Sequence, residues 1–277
     1  MTQHIIGALD GVIVTISDSR TTYRRKIQEA DPEPPKDTVV KYATYPVDPD
    51  DWLDGNLAAV VLLMGRSSFT HEDDHGKQTP GTRPRETADV ITEYLSTRSG
   101  RYSSLQDLGD GIWQHIMGTY WYGCASCRRA CDGGSSLEPT CDDHDEFSLF
   151  AAGVNAEEPG PQLYQRKLDR GSGRGTVDVI AWPYVHTEGH GGWAQPALQQ
   201  GRRMASEFDG DIDAYWADLV EQFNKHAATA PCVEGVGGSW ISTVGGTMQS
   251  FVIDPRAGVA KKVVEPIIVA AKCEGTS

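Results

Sequence analysis

Apolar residues in this chain come in short runs, and their spacing changes character along the sequence. HIIGA and VIVTIS read as two short strands around a turn at Asp10 and Gly11. TVVKYATY, residues 38 to 45, alternates with a period near two, as a strand with one covered face does. LAAVVLLMG, residues 57 to 65, is an unbroken apolar run, expected of a strand covered on both faces. The period then lengthens. In RETADVITEYLSTRSG, Ala88, Ile91, Tyr94 and Leu95 share one helical face, and Gly100 is a stop signal. SSLQDLGDGIWQHIMGTYWYG places Leu105, Leu108, Ile112, Ile116 and Tyr120 at helical spacing, with Ser103 and Gln106 as a capping box. Gly109 and Gly111 weaken this helix by up to roughly 1 kcal/mol each relative to alanine, so packing must hold it.

Beyond residue 145 the pattern returns to strands. EFSLFAAGV and GTVDVIAWPYV (175 to 185) each read as one strand. DIDAYWADLVEQFNKHA has the clearest helical stripe, built from Ile212, Tyr215, Trp216, Leu219, Val220 and Phe223. SWISTV, QSFVID, GVAKKVV and PIIVAAK then follow as short strands in the style of an antiparallel meander. These elements predict an α+β protein. Its first half is a mixed sheet with flanking helices, and its final part is antiparallel and β-rich. No long polar linker separates the two, so residues 1–277 read as one domain with a cysteine-rich insertion at 121–147; a division near residue 150 is the alternative.

Composition narrows the partners. The 277 residues carry a formal net charge of −14, which repels phosphate backbones and argues against broad nucleic-acid binding. Clustered arginines such as Arg128 with Arg129, or Arg202 with Arg203, read as solvated charges balancing nearby acids. No apolar run approaches the ~20 residues of a membrane span. The start, MTQHIIGALDGVIVTI, lacks a basic segment and is broken by Gly7, Asp10 and Gly11, so it reads as strands and not as a signal peptide. A cytoplasmic or virion location is the expectation.

Four of the six cysteines lie in CASCRRACDGGSSLEPTC. Cys124, Cys127, Cys131 and Cys141 have the spacing C-x2-C-x3-C-x9-C, and His144 follows as an alternative ligand. A C-x2-C turn brings two thiolates to one side of an ion, and Gly133 and Gly134 let the chain reverse to deliver Cys141. Structural zinc is the favoured reading. An iron–sulfur cluster is an alternative, although the spacing fits neither common ferredoxin run. Disulfides are the other, with Cys232 and Cys273 able to supply a third bridge, against the default of a reducing compartment.

Two H-x3-H pairs also stand out. His71 and His75 lie in THEDDHGK, and His186 and His190 bracket Glu188 in HTEGHGGW. Neighbouring glycines argue for loops, which project either as plain polar surface or toward one mouth of a sheet. In the second case histidines and carboxylates together would bind a divalent ion and activate water, with Asp178 or Glu188 as base.

Motifs for other chemistries are incomplete. GGSSL, GVGGSW and VGGTM are glycine-rich without the pattern of a phosphate-binding loop, and no Gly-x-Ser-x-Gly elbow occurs. RGTVDVIAW resembles the strand on which nucleases of the restriction-enzyme type carry a metal-binding aspartate, here Asp178, but the paired acid and lysine are absent from the next segment. GVIVTISDSRT (11 to 21) resembles the first strand and loop of the molybdopterin-binding fold, with slight further likeness in VDPDDW and TRPRETADV. That family's TGGTG turn is replaced here by MGRSS at 64 to 68, so the resemblance transfers no functional residue.

The expectation at this level is a non-catalytic structural or interaction subunit of a larger assembly, such as a virus particle or tail, held by a zinc-type knuckle and partnered by other protein subunits. The alternative is a metal-dependent hydrolase or nuclease-like enzyme built on the two histidine loops.

Overall fold

A computed structural model describes residues 4–20, 37–48, 51, 57–64, 68–69, 85–98, 101–119, 148–155, 157, 160–167, 176–179, 184–188, 207–234, 240–262 and 272–273. Its strands are β1 (His4–Leu9), β2 (Val12–Ser17), β3 (Tyr42–Tyr45), β4 (Leu57–Met64), β5 (Ser68–Phe69), β6 (Arg85–Glu86), β7 (Ser148–Asn155), β8 (Pro161–Lys167), β9 (Thr176–Val179), β10 (Tyr184–Glu188), β11 (Cys232–Glu234), β12 (Trp240–Ser242), β13 (Gln249–Asp254) and β14 (Gly258–Lys262). The helices are α1 (Thr87–Ser96), α2 (Leu105–Thr119) and α3 (Ile212–Ala227).

Two five-stranded sheets form the centre. Sheet I has the order β10-β1-β2-β13-β14, and sheet II the order β3-β4-β7-β8-β9. Every described strand pair within them is antiparallel. The period of two sorts side chains into layers. On β1, Ile6 and Ala8 point between the sheets, while Ile5 and Leu9 point to α3. On β4, Ala58, Val60 and Leu62 enter the inter-sheet core, while Leu57, Ala59, Val61 and Leu63 face α1 and α2. Strands buried on both faces explain the unbroken apolar runs. The result is a four-layer stack, with α3 outside sheet I and α1 and α2 outside sheet II, in agreement with the α+β class.

Several local readings shift. The cap of α2 is Ser104, whose Oγ accepts from Asp107 N–H at 3.1 Å, one residue later than the spacing indicated. GTVDVIAWPYV is not one strand: β9 edges sheet II and β10 edges sheet I. The C-terminal strands are not a separate meander, because β13 pairs with β2 in the middle of sheet I and β12 pairs with β11. PIIVAAK lies outside the described residues. Cys232 and Cys273 form a disulfide with Cα atoms 5.8 Å apart, contrary to the reducing-compartment default. The described residues contain no helix long and apolar enough to cross a membrane.

Gly109 has a reason that helix propensity hides. A Cβ there would meet three ring atoms of Tyr164 at 2.5 Å. That ring is fully buried, and its hydroxyl donates to Asp110 Oδ1 at 2.9 Å, so it has little freedom to retreat. Gly109→Ala is therefore expected to destabilise the fold by about 1–3 kcal/mol through overpacking, outweighing its gain in helix propensity. Urea denaturation checks this, and a raised midpoint would contradict it.

Candidate active site

Among the described residues, a cluster of buried polar side chains lies at one end of sheet I, where β2 finishes and β1 begins. His4 on β1 is registered opposite Ser17 on β2, and Asp18 follows Ser17 directly. Asp18 is 0% exposed and Lys41 3% exposed. Lys41 Nζ donates to Asp18 Oδ1 at 2.9 Å and also to the Arg20 carbonyl. The other carboxylate oxygen of Asp18 accepts from Gly245 N–H at 3.4 Å. The pair spans the two sheets. Asp18 extends β2 of sheet I, whereas Lys41 leads into β3 of sheet II, and its carbonyl accepts from Leu63 N–H on β4 at 3.0 Å.

A second ring of contacts fixes this pair. Arg20 makes a fork to Asp37, with Nε to Oδ1 at 2.6 Å and Nη2 to Oδ2 at 2.8 Å, and its Nη1 donates to the Ser242 carbonyl at 3.3 Å. Its backbone N–H donates to the Gly245 carbonyl at 3.1 Å. The Ser19 hydroxyl donates to the Asp37 carbonyl and accepts from Thr247 N–H at 2.7 Å. Gly246 closes the turn with φ of +76°, and a Cβ there would strike Ser19 Oγ at 2.5 Å and the Asp37 carbonyl oxygen at 2.6 Å. Only glycine meets both conditions.

Electrostatics make Lys41 unusual. Burial drives its ammonium below the ordinary lysine value of 10.5, the Asp18 carboxylate opposes that, and the Arg20 charge adds to the lowering. The Arg20 guanidinium moves the other way, raised chiefly by its hydrogen bond to Asp37. A desolvated lysine held by a carboxylate is a group suited to taking a proton from a nearby hydroxyl.

The fold that carries this site is similar to that of Anbu. The match is to the structure of an Anbu (Gly-1) mutant from Hyphomicrobium sp. strain MC1, with a TM-score of 0.51 and 12% sequence identity, covering 96% of this chain and 87% of that one. No protein-family model matches the chain, and no curated protein matches it by sequence.

The Anbu-like fold corrects the expectation of a non-catalytic structural, virus-particle or tail subunit stabilised by a zinc-type knuckle. The chain instead has a two-sheet sandwich similar to that of Anbu, and two sheets with their packed helices organise it. The alternative of a metal-dependent hydrolase or nuclease-like enzyme is corrected with it. Among the described residues, no group of three or more His, Cys, Asp or Glu side chains is placed to hold a metal ion. Asp178 is exposed on β9 and accepts from Gln165 Nε2 at 3.2 Å, while His186 and Glu188 belong to β10 in the other sheet, registered opposite Ile6 and His4. Cys124, Cys127, Cys131, Cys141, His144, His71, His75 and His190 lie outside the described residues. The molybdopterin-type resemblance of GVIVTISDSRT likewise gives way, since this segment is one arm of an antiparallel hairpin ending in the polar site.

Asp18 and Lys41 were absent from the sequence-based candidates, yet one signal was present. In TVVKYATY the buried phase is Val39, Lys41, Ala43 and Tyr45. A lysine in phase with the core of a strand needs a buried partner.

Proposed function

We propose that the chain is an amide-bond hydrolase of the N-terminal-nucleophile type. In this reading Thr2 is the nucleophile once the Met1–Thr2 bond is cut, Lys41 draws the proton from its hydroxyl, and Asp18 holds Lys41 in place. The observation that carries it is the desolvated Lys41–Asp18 pair at the end of sheet I where β1 starts. Thr2 is joined through one residue to His4, the first residue of β1. The fold's similarity to that of Anbu, a proteasome-like peptidase subunit related to the N-terminal-nucleophile hydrolases, supports the same placement of chemistry.

The steps follow from that arrangement. As the Thr2 Oγ1 attacks the substrate carbonyl carbon, its proton passes to Lys41 Nζ and the carbonyl π pair moves onto oxygen. Collapse breaks the C–N bond, the leaving nitrogen takes a proton, and a threonine ester of the acyl group forms. Water attacks that ester with proton transfer through the same base, releasing the carboxylic acid and restoring Thr2. The freed α-amino group of Thr2 is a second proton carrier beside the hydroxyl. Neutral Lys41 is the active form, so turnover is expected to rise with pH along a limb lying below the usual lysine value of 10.5. The expectation of partnership with other protein subunits belongs to this reading too, because the neighbour is itself a subunit.

The test joins mass spectrometry to kinetics. A fluorogenic peptide amide and a peptide boronate are offered to the mature protein. The expected result is an N-terminal Thr2, turnover that boronate blocks, retention of some turnover in Thr2→Ser, and none in Thr2→Ala. A protein with a free Thr2 terminus that neither turns over a broad amide panel nor binds the boronate would overturn the reading.

A further inference from the structure

The Lys41–Asp18 pair bridges two sheets, and a lysine side chain has four flexible bonds. Something must therefore hold the Lys41 backbone at a set distance from β2. A buried side chain placed to do this is Gln249, the first residue of β13. Its Cα is registered opposite Ser17, the residue before Asp18, so Gln249 belongs to sheet I. Its carboxamide reaches across to the lead-in of β3. Oε1 accepts from Lys41 N–H at 3.3 Å, and Nε2 donates to the Val39 carbonyl at 3.2 Å. Those two backbone groups flank Val40 and point the same way, so the carboxamide occupies the place of a peptide unit in a neighbouring strand. Both ends of the amide are used, and a 208-residue separation in sequence is closed at the point where Lys41 is fixed.

We propose that Gln249 is a positioning residue, holding Lys41 against Asp18 by tying the segment before β3 to sheet I. This inference rests on the proposed amide-hydrolase reading for its catalytic meaning. Other links cross the same gap, Val39 N–H to the Ser19 carbonyl at 3.1 Å, the Ser19 hydroxyl to the Asp37 carbonyl and the Arg20–Asp37 fork, but none of these touches the Lys41 backbone. Among the described residues, the charged groups that act on the Lys41 ammonium are Asp18, Arg20 and Asp37. A carboxylate at position 249 would add a fourth charge, and it would set an acceptor against the Val39 carbonyl where a donor now sits.

Two variants separate positioning from general support. Gln249→Glu keeps the size of the side chain, and Gln249→Met removes both hydrogen bonds at similar volume. In Gln249→Glu the pH limb of kcat is expected to move to higher pH with KM little changed. In Gln249→Met, kcat is expected to fall by up to about 10²-fold, the scale of a misplacement near 1 Å, while KM holds. The direct readout needs no activity: the Lys41 side chain is followed by lysine-selective isotope NMR across pH in all three proteins. A raised Lys41 titration in Gln249→Glu and a changed one in Gln249→Met support the inference. An unchanged Lys41 titration in both variants overturns it, whatever happens to thermal stability. If wild type shows no amide turnover but Lys41 still responds to position 249, the catalytic reading fails and the positioning of Lys41 stands.

Discussion

Lys41→Met is expected to lower amide turnover by about 10²–10⁴-fold, the usual contribution of a positioned proton acceptor. The same change is expected to cost about 3–5 kcal/mol of stability, because it leaves a buried carboxylate without its counter-charge. Asp18 is fully buried, and the Gly245 N–H at 3.4 Å is a poor substitute for an ammonium at 2.9 Å. Adding Asp18→Asn removes that stranded charge, so the double variant is expected to regain most of the lost stability and none of the activity. This split separates a catalytic pair from a merely structural one. Stability also carries a pH signature. Between the lowered Lys41 value and the ordinary 10.5, the unfolded chain holds a proton that the folded protein does not. Stability therefore rises with pH across that window in wild type, and the rise disappears in both variants. Urea denaturation at several pH values, alongside steady-state kinetics, checks all three points. Full activity in Lys41→Met would remove the lysine from the mechanism.

Much of the fold was legible in the chain because its causes are local. LAAVVLLM has no polar face, so it had to be covered twice, and it lies between sheet I and two helices. The stripe on α3 announced its packing, although the buried face turns further and takes in Asp218, Gln222 and His226. What was illegible depends on pairings between distant segments. TVDV and YVHTE adjoin in sequence, yet they pair with β8 and β1 in different sheets. The site is illegible for the same reason. Asp18 and Lys41 stand 23 residues apart and meet only because two sheets stack, and Gln249 joins them from the far end of the chain. Histidines and cysteines at regular spacing drew attention as ligands, whereas a single lysine on the buried phase of a strand forms the buried ion pair. Its phase was readable; its partner was not.

Opening the Cys232–Cys273 bridge is expected to destabilise the protein by about 4 kcal/mol on the chain-entropy scale, given a closed loop of this length. The two cysteines are 41 residues apart, and the loop between them contains β11 to β14. Of these, β13 lies inside sheet I between β2 and the edge strand β14, so the restrained segment includes a core strand. Without the bridge, the unfolded chain gains the freedom of that whole loop, while the folded strands keep their hydrogen bonds. Effects on the polar site should be smaller. Cys232 is registered opposite Ser242, whose carbonyl holds Arg20 Nη1, but Thr243 N–H to the Pro231 carbonyl and Arg20 N–H to the Gly245 carbonyl secure the same region without sulfur. Loss of the disulfide should thus lower the denaturation midpoint and leave the pH limb of turnover in place. The experiment compares wild type with a Cys232→Ser, Cys273→Ser double variant, each with and without a dithiol reductant. Wild type should fall to the level of the variant when reduced, and the variant should not respond. A reductant effect that persists in the variant would assign it to the other four cysteines, and a wild-type midpoint indifferent to reductant would deny the bridge its stabilising role.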